Sequence, residues 1–167
     1  MLLSSPEFLD RIISEMKTQY ILKNEKSGTF YYSDKKMTKQ HREDGPAGEY
    51  SDGTKSWYLN GQLHREDGPA VEWANGSKSW YLNGKLHRED GPAIEGADGS
   101  KSWYLNGKLH WEDGPAVEWA SGTKYWYLNG QPLSKEEWEK RVTKKTINVN
   151  GKDFTVEELN ALIASVK

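Results

Sequence analysis

Short runs of alternating apolar and polar residues, each followed by a glycine turn, fill the middle of the chain. The clearest copy, residues 64–86, reads HREDGPAVEWANGSKSWYLNGKL. Its alternation predicts half-buried strands. Asn75-Gly76, between two such runs, predicts a hairpin because both central positions of a type I′ turn take positive φ. Asn83-Gly84 predicts a second turn after Trp-Tyr-Leu, so the copy is predicted to contain strands and no helix.

Counting outward from a two-residue turn at Asn75-Gly76 predicts which side chains share a face of the first hairpin. In that register Glu72 lies opposite Ser79, and Val71 lies opposite Trp80. One face is then apolar and the other is amphipathic. The apolar face carries Val71, Trp73, Trp80 and Leu82, and the amphipathic face carries Ala70, Glu72, Ser79 and Tyr81.

The pattern recurs with a fixed step of 23 residues, and such a step is typical of a repeat architecture. The step is kept by the histidines that open the copies and by tryptophans that we expect in the core. The histidines are His41, His64, His87 and His110, and the tryptophans are Trp57, Trp80, Trp103 and Trp126. We predict a mainly β fold in which tandem 23-residue β-hairpin repeats form an elongated, twisted antiparallel sheet or solenoid.

The N-terminal end departs from the repeat. Ser5 is a candidate helix cap, Pro6 suits the first helical position, and apolar residues follow at helical spacing. They predict an N-terminal helical cap, which we place at residues 1–26. Residues 19–40 also show a degenerate copy of the repeat, as expected at the end of an array. The repeat body is placed at residues 27–131.

Residues 132–167 are predicted to form a C-terminal cap of a helix, a hairpin and a second helix. Two capping boxes, in which a hydroxyl and a glutamate three residues later bond each other's backbone, predict the helix starts. They are Ser134 with Glu137 and Thr155 with Glu158, and Asn150-Gly151 predicts the hairpin between the two helices.

Composition narrows the classes of function. The 167 residues carry a net charge of -2, which disfavours nucleic-acid binding through a basic field. The chain has no cysteine and no apolar run near the roughly 20 residues of a membrane span. Its start lacks the basic region of a signal peptide. We therefore expect a cytoplasmic protein without a disulfide framework.

The run Trp-Tyr-Leu-Asn-Gly-Lys-Leu-His, followed by Ala-Asp-Gly-Ser, resembles MORN repeats over roughly residues 27–131. It is most similar to variant MORN repeats of bacterial and viral proteins, including YwqK-type antitoxins. The HREDGPA-WYLNG style also resembles proteins of phages and giant viruses. The resemblance implies hairpins stacked into one sheet that is used for protein contacts. A second, weaker resemblance is to choline-binding repeats, which hold ligands between aromatic residues of successive copies.

The recurring His-Arg-Glu-Asp runs contain residue types that ligate metals or act as acids and bases. All four copies hold a similar set, whereas an active site is normally a single constellation. We therefore interpret the runs as a structural ladder, in which each histidine or arginine bonds a carboxylate of the neighbouring copy. No catalytic residue, metal ligand or cofactor is assigned from the sequence.

Aromatic residues on the amphipathic face are the candidate binding surface. Rows of exposed aromatic side chains suit protein contacts, although the tyrosines would serve equally to shield neighbouring hairpins. Departures between copies add two positions, since copy three has glycine where the others have an aromatic residue, and copy four has tryptophan where the others have arginine. The predicted binding residues are Tyr58, Tyr81, Tyr104, Tyr127, Glu72, Glu95, Gly96 and Trp111.

These observations predict a non-enzymatic binding protein that inhibits or scaffolds a protein partner. The partner would be a host defence factor opposed by a viral protein, or a toxin neutralised by this chain. The alternative is a small-ligand binder that holds a nucleotide, sugar or quaternary amine between aromatic rings. No membrane contact is predicted.

Overall fold

The computed structural model describes residues 21–33, 36, 38–143 and 146–165. The predicted N-terminal helix begins in residues 1–20, which lie outside this range. Within the described residues the chain is mainly β, with two helices, α1 (Lys135–Thr143) and α2 (Val156–Ser165). The strands are β1 (Ile21–Glu25), β2 (Gly28–Tyr32), β3 (Gly48–Tyr50), β4 (Lys55–Ser56), β5 (Tyr58–Leu59), β6 (Gln62–Leu63), β7 (Val71–Glu72), β8 (Lys78–Ser79), β9 (Tyr81–Leu82), β10 (Lys85–Leu86), β11 (Ile94–Glu95), β12 (Lys101–Ser102), β13 (Tyr104–Leu105), β14 (Lys108–Leu109), β15 (Val117–Glu118), β16 (Lys124–Leu128), β17 (Gln131–Leu133), β18 (Thr146–Val149) and β19 (Lys152–Thr155).

One long antiparallel sheet organises the described residues. Its eleven strands lie in the order β1-β2-β3-β4-β7-β8-β11-β12-β15-β16-β17. The first hairpin of each copy supplies two neighbouring strands, so successive copies lie side by side. β1 and β2 extend this sheet at one end, as the degenerate copy predicts, and Ile21–Glu25 at the end of the predicted cap is a strand.

The register of the first hairpins differs by one residue from the register predicted by counting. Glu72 lies opposite Lys78 and Val71 lies opposite Ser79, so Trp80 is outside this ladder. The loop has three residues, since the Trp73 N–H donates to the Ser77 carbonyl and the Gly76 N–H donates to the Trp73 carbonyl. Only Gly76 has positive φ, so the loop is a type I turn followed by a glycine bulge. The predicted sorting of side chains onto two faces is therefore wrong.

The second hairpins follow the prediction. Asn83 and Gly84 have φ of 49° and 75°, and Leu82 lies opposite Lys85 across this two-residue turn. Both positive angles are needed for a type I′ turn, and asparagine tolerates the left-handed region better than other side chains. The same pair of angles recurs at Asn60-Gly61, Asn106-Gly107, Asn129-Gly130 and Asn150-Gly151.

The core is thin because it is built from small residues at the junction of the two hairpins. The alanine of each Gly-Pro-Ala run is fully buried, and its carbonyl accepts the N–H of the aromatic residue that leaves the neighbouring strand. These alanines are Ala47, Ala70, Ala93 and Ala116. Val71, Val117 and Phe30 complete the buried apolar set among the described residues. The four central tryptophans are half-buried, so the expectation that they form the core is wrong.

Both helices of the C-terminal unit begin where the capping boxes predict. The Glu137 N–H donates to Ser134 Oγ at 3.1 Å, and the Ser134 N–H donates to the Glu137 carboxylate at 2.9 Å. Thr155 and Glu158 make the same two bonds before α2. Backbone groups at the start of a helix lack intrahelical partners, so each box satisfies two of them.

Candidate functional site

The loops that follow the first three histidines are each held down by an arginine. Arg65 Cζ lies 4.1 Å from the centre of the Trp57 ring, and Arg65 Nε donates to the Asp67 carboxylate at 2.9 Å. Arg65 Nη1 also donates to Glu72 and to the Pro69 carbonyl. The guanidinium therefore stacks on an aromatic ring and crosslinks its own loop to the sheet.

Neighbouring copies repeat this arrangement. Arg88 stacks on Trp80, and Arg42 stacks on Tyr31 of the degenerate copy, both at 4.1 Å. The predicted ladder is thus partly wrong, because each arginine bonds carboxylates of its own copy. Sequence reasoning missed the stack, although the equal offset from Trp57 to Arg65 and from Trp80 to Arg88 was a signal for it.

Trp111 takes the arginine position in copy four. Its ring stacks on Trp103 with centroids 5.8 Å apart, and its carbonyl accepts the indole N–H of Trp138 from α1. Glu118, which has no arginine to bond in this copy, pairs instead with Lys124 at 3.0 Å. Trp111 therefore joins the last copy to the C-terminal helix, which is a structural role beside the binding role predicted for it.

Each histidine bonds the backbone of the second turn of its own copy. The Asn60 N–H donates to His41 Nδ1 at 3.0 Å, and the Asn129 N–H donates to His110 Nδ1 at 3.0 Å. His64 and His87 receive the same bond at 3.1 Å, although an asparagine Oδ1 also lies near each Nδ1. Because a backbone N–H cannot be reoriented, we assign Nδ1 as the acceptor and the proton to Nε2. Each histidine thus bonds a turn of its own copy, where the sequence predicted a carboxylate of the neighbouring copy.

Successive loops are separated by cavities that we call the inter-copy grooves. The first groove has a volume of about 640 Å³ and a floor formed by Trp57 and Leu59. The second has a volume of about 660 Å³ and a floor formed by Trp80 and Leu82. A third, of about 310 Å³, lies between the loop of Arg88 and that of Trp111. The loops on either side of each groove supply its walls.

The groove walls end in a row of carboxylates that we call the acidic rim. Its members are the Glu-Asp pairs that follow the loop histidines, and they are Glu43, Asp44, Glu66, Asp67, Glu89, Asp90, Glu112 and Asp113. The Glu66 and Glu89 side chains are 85% and 81% exposed, whereas the Arg65 side chain is 23% exposed. Solvent therefore meets mainly the acids of each loop, while the guanidinium is covered.

The arginines lower the pKa of the aspartates in the rim. A hydrogen bond from Arg65 holds the pKa of Asp67 below its ordinary value, and the charge of Arg65 adds to this effect. Arg88 does the same to the pKa of Asp90, and Arg42 to that of Asp44. Each bond favours the charged carboxylate, so the rim keeps these negative charges into mildly acidic solution.

The predicted tyrosines form a row on the opposite side of their strands from the groove floors. Tyr58 and Tyr104 are half-buried, and burial raises the pKa of both phenols, with smaller contributions from the neighbouring tyrosines. Tyr81 is the common neighbour of these two, and Tyr127 is next to Tyr104. The structure thus brings the four tyrosines together, whereas Glu72 and Glu95 lie in the long sheet opposite lysines.

Glu72 and Glu95 belong to a charged row across the long sheet. Each lies between two lysines on neighbouring strands, as Glu95 lies between Lys78 and Lys101. Each also accepts a bond from the arginine of its own loop. Opposite charges on directly paired residues stabilise a sheet, so both glutamates have structural partners.

Gly96 lies between two exposed tryptophans of the neighbouring copies, Trp73 at 49% and Trp119 at 52% exposure. A Cβ built on Gly96 would lie 2.5 Å from both Asp98 Oδ1 and Ser100 Oγ. Those two atoms are hydrogen-bonded at 2.6 Å. A polar pair therefore occupies the base of the position that an aromatic side chain fills in the other copies.

Within residues 21–33, 36, 38–143 and 146–165, no group of three or more histidine and acidic side chains is arranged to hold a metal ion. In the same part of the chain, neither helix has the length and apolar character needed to cross a membrane.

Comparisons with protein-family models, with curated proteins and with solved structures found no match. The resemblance to MORN repeats therefore remains a prediction from the residues that carry it.

Proposed function

We propose that this chain is a non-enzymatic binding module that holds a protein partner along its inter-copy grooves. One observation carries the proposal. The same concavity, with an aromatic and aliphatic floor and charged walls, occurs between successive loops. Apolar pockets rimmed by polar residues are typical of protein contact surfaces, where buried aromatic contacts supply most of the affinity.

The proposal includes the finer architecture. The hairpins follow one another at the 23-residue step of the sequence as an elongated, twisted solenoid of the MORN-like kind. Recurrent contacts between copies support this, since Trp57, Trp80 and Trp103 each donate a backbone N–H to an alanine carbonyl of the next copy. An extended array presents its grooves in a line, which suits a long partner surface.

In this proposal the chain inhibits or scaffolds its partner in the cytoplasm, as a viral antagonist of a defence factor or as a toxin-neutralising protein would. The distribution of the recurring polar contacts supports a binding role. Most recurring polar groups are committed to holding loops and turns, as Arg65 and Arg88 are. Within the acidic rim, the Glu66 and Glu89 side chains are largely exposed to solvent and can meet a partner.

The test compares two doubly substituted proteins with the wild type. Glu66→Lys with Glu89→Lys changes the rim at exposed positions, where His Nε2 lies 3.6–3.7 Å from the carboxylate, too far for a direct hydrogen bond. Glu25→Lys with Glu136→Lys makes the same change in net charge on elements outside the grooves. Each protein is used to capture a partner from cells that carry the gene, and the captured protein is then purified and titrated in solution.

We expect one protein to form a stoichiometric complex with the wild type and with the Glu25→Lys, Glu136→Lys control, and the rim variant to lose it. Equal binding by the rim variant would contradict the proposed grooves. If Tyr81→Ala with Tyr104→Ala abolished binding while the rim variant kept it, the tyrosine row would be the contact surface instead. Unfolding curves of every variant establish that the loss is not one of folding.

A further inference from the structure

We propose that the partner segment seated in the grooves is an extended, basic peptide with arginine or lysine at every third residue. This inference rests on the proposed function and specifies the chemistry of the partner. It follows from three properties of the grooves, namely the charge at their rim, the character of their floor and the distance between them.

The first property is the charge at the rim. Four Glu-Asp pairs face three arginines along the loops, and those arginines are stacked on aromatic rings and bonded within their own loops. The eight carboxylates would outnumber these arginines even with a positive charge on each of the four histidines. The rim is therefore net negative, and it attracts cations and repels phosphate groups.

The second property is the floor. Trp57 with Leu59, and Trp80 with Leu82, give each of the two larger grooves an apolar base below the carboxylates. Arginine and lysine have this same division, since an apolar stem carries the charged head. A basic side chain laid into a groove would place its stem against this apolar base and its charged head among the carboxylates of the rim.

The third property is the distance between grooves. Each copy contributes two strands to the sheet, and neighbouring strands lie about 4.7–4.9 Å apart, so grooves recur roughly every 9.6 Å. A chain in the polyproline II conformation advances about 3.1 Å per residue and has three residues per turn. Three residues therefore cover one step and return to the same side of the peptide, so basic side chains at i, i+3 and i+6 reach three successive grooves.

Two peptides of identical composition and charge test this spacing. One is acetyl-Arg-Pro-Pro-Arg-Pro-Pro-Arg-amide, whose prolines favour the extended conformation and place arginines at every third residue. The other is acetyl-Arg-Arg-Arg-Pro-Pro-Pro-Pro-amide, which clusters the same three charges. Each is titrated into the full chain by calorimetry, with tryptophan fluorescence as a second readout because both larger grooves have a tryptophan floor.

We expect the spaced peptide to bind at least about tenfold more tightly than the clustered one, since three linked contacts add only when the geometry lets all three form together. Its affinity should fall with added salt. It should also be lost in the Glu66→Lys, Glu89→Lys protein and kept in the Glu25→Lys, Glu136→Lys control.

Equal affinities for the two peptides, or an equal loss in the control protein, would overturn the inference, because net charge alone would then explain binding. Competition by spermine as strong as that of the spaced peptide would also overturn it in favour of a small polycation. If a captured protein partner depends on the rim but neither peptide binds, the partner chemistry is wrong and the proposed function stands. If the spaced peptide binds but no protein partner is captured, the proposed function fails.

Discussion

Arg88 makes three kinds of contact at once. It stacks on Trp80, donates to Asp90 within its loop, and donates to Glu95 on the sheet. In copy four Trp111 keeps the stacking contact alone, and the ion pair moves to Glu118 and Lys124. The position of Arg88 in the repeat thus accommodates either an arginine that crosslinks its loop or an aromatic side chain. The aromatic side chain, Trp111, occurs in the copy that contacts α1.

The substitution Arg88→Gln is expected to raise the pKa of Asp90 towards its ordinary value of 3.8. The reason is that the hydrogen bond and the charge of Arg88 both favour the ionised carboxylate. Titration of the aspartate carboxyl signals by nuclear magnetic resonance measures the change. Asp67, which is held by the unchanged Arg65, provides the internal control and should keep its lowered pKa.

The sign of the effect on stability follows from the same shift. Because the pKa of Asp90 is lower in the folded chain, the pair adds to stability above the ordinary value of 3.8. This contribution is lost as the pH falls from there through the lowered pKa. Wild type and Arg88→Gln should therefore unfold more alike in strong acid than near neutrality, and a constant difference across that range would contradict the assignment.

Turns and caps are the elements that local sequence predicts best. Asn83-Gly84 forms a type I′ turn and Ser134 with Glu137 caps α1, because both depend only on residues within a few positions. The prediction of a two-residue turn at Asn75-Gly76 was wrong, because the same dipeptide also fits a three-residue loop in which only the glycine needs positive φ. Ser121-Gly122 at the equivalent place was a usable signal, because serine does not favour the left-handed region.

The substitution Ser134→Ala is expected to destabilise α1 by about 1 kcal/mol, because it removes the acceptor for the Glu137 N–H. Amide hydrogen exchange in Lys135–Thr143 measures the loss. The indole N–H of Trp138, which bonds the Trp111 carbonyl, should exchange faster as well.

Thr155→Ala removes the matching cap of α2 and is the control. It should speed exchange in Val156–Ser165 and leave Trp138 unaffected. Faster exchange at Trp138 in both variants would mean that the two helices unfold together, which the capping argument does not predict.

The interactions that join the copies connect nearest neighbours. Arg65 stacks on the Trp57 ring of the preceding copy, and the Trp57 N–H bonds the Ala70 carbonyl of the next copy. The grooves arise from this stacking, since their walls belong to different loops. Sequence patterns therefore indicated the hairpins but missed the grooves, which depend on how the path of one loop lies against the next.

Deletion of residues 67–89 joins Glu66 to Asp90 and removes one 23-residue copy without changing the pattern. We expect the shortened chain to fold with a cooperative transition that is less stable by about 1–3 kcal/mol, from roughly 0.05–0.15 kcal/mol per residue. Urea unfolding should also show a smaller dependence on denaturant, since less surface is exposed.

Deletion of residues 67–78 is the control, because it leaves half a copy and places unlike strands side by side. It should abolish cooperative unfolding. If both deletions behaved alike, stability would not be organised by copies.

Pro132 has a consequence for how far the sheet can grow. β17 is the last strand of the long sheet, and Leu128 and Gln131 flank the two-residue turn between β16 and β17. Hydrogen-bonded and non-hydrogen-bonded pairs alternate along antiparallel strands, so the next pair, Tyr127 and Pro132, directs its backbone groups away from each other. The backbone N–H that would face an added strand is therefore missing at this position, because proline has no N–H. We therefore expect this edge of the sheet to resist the addition of strands from other chains, which would build a fibre. The number of grooves in one assembly is then set by the number of copies in the sequence and does not grow with protein concentration.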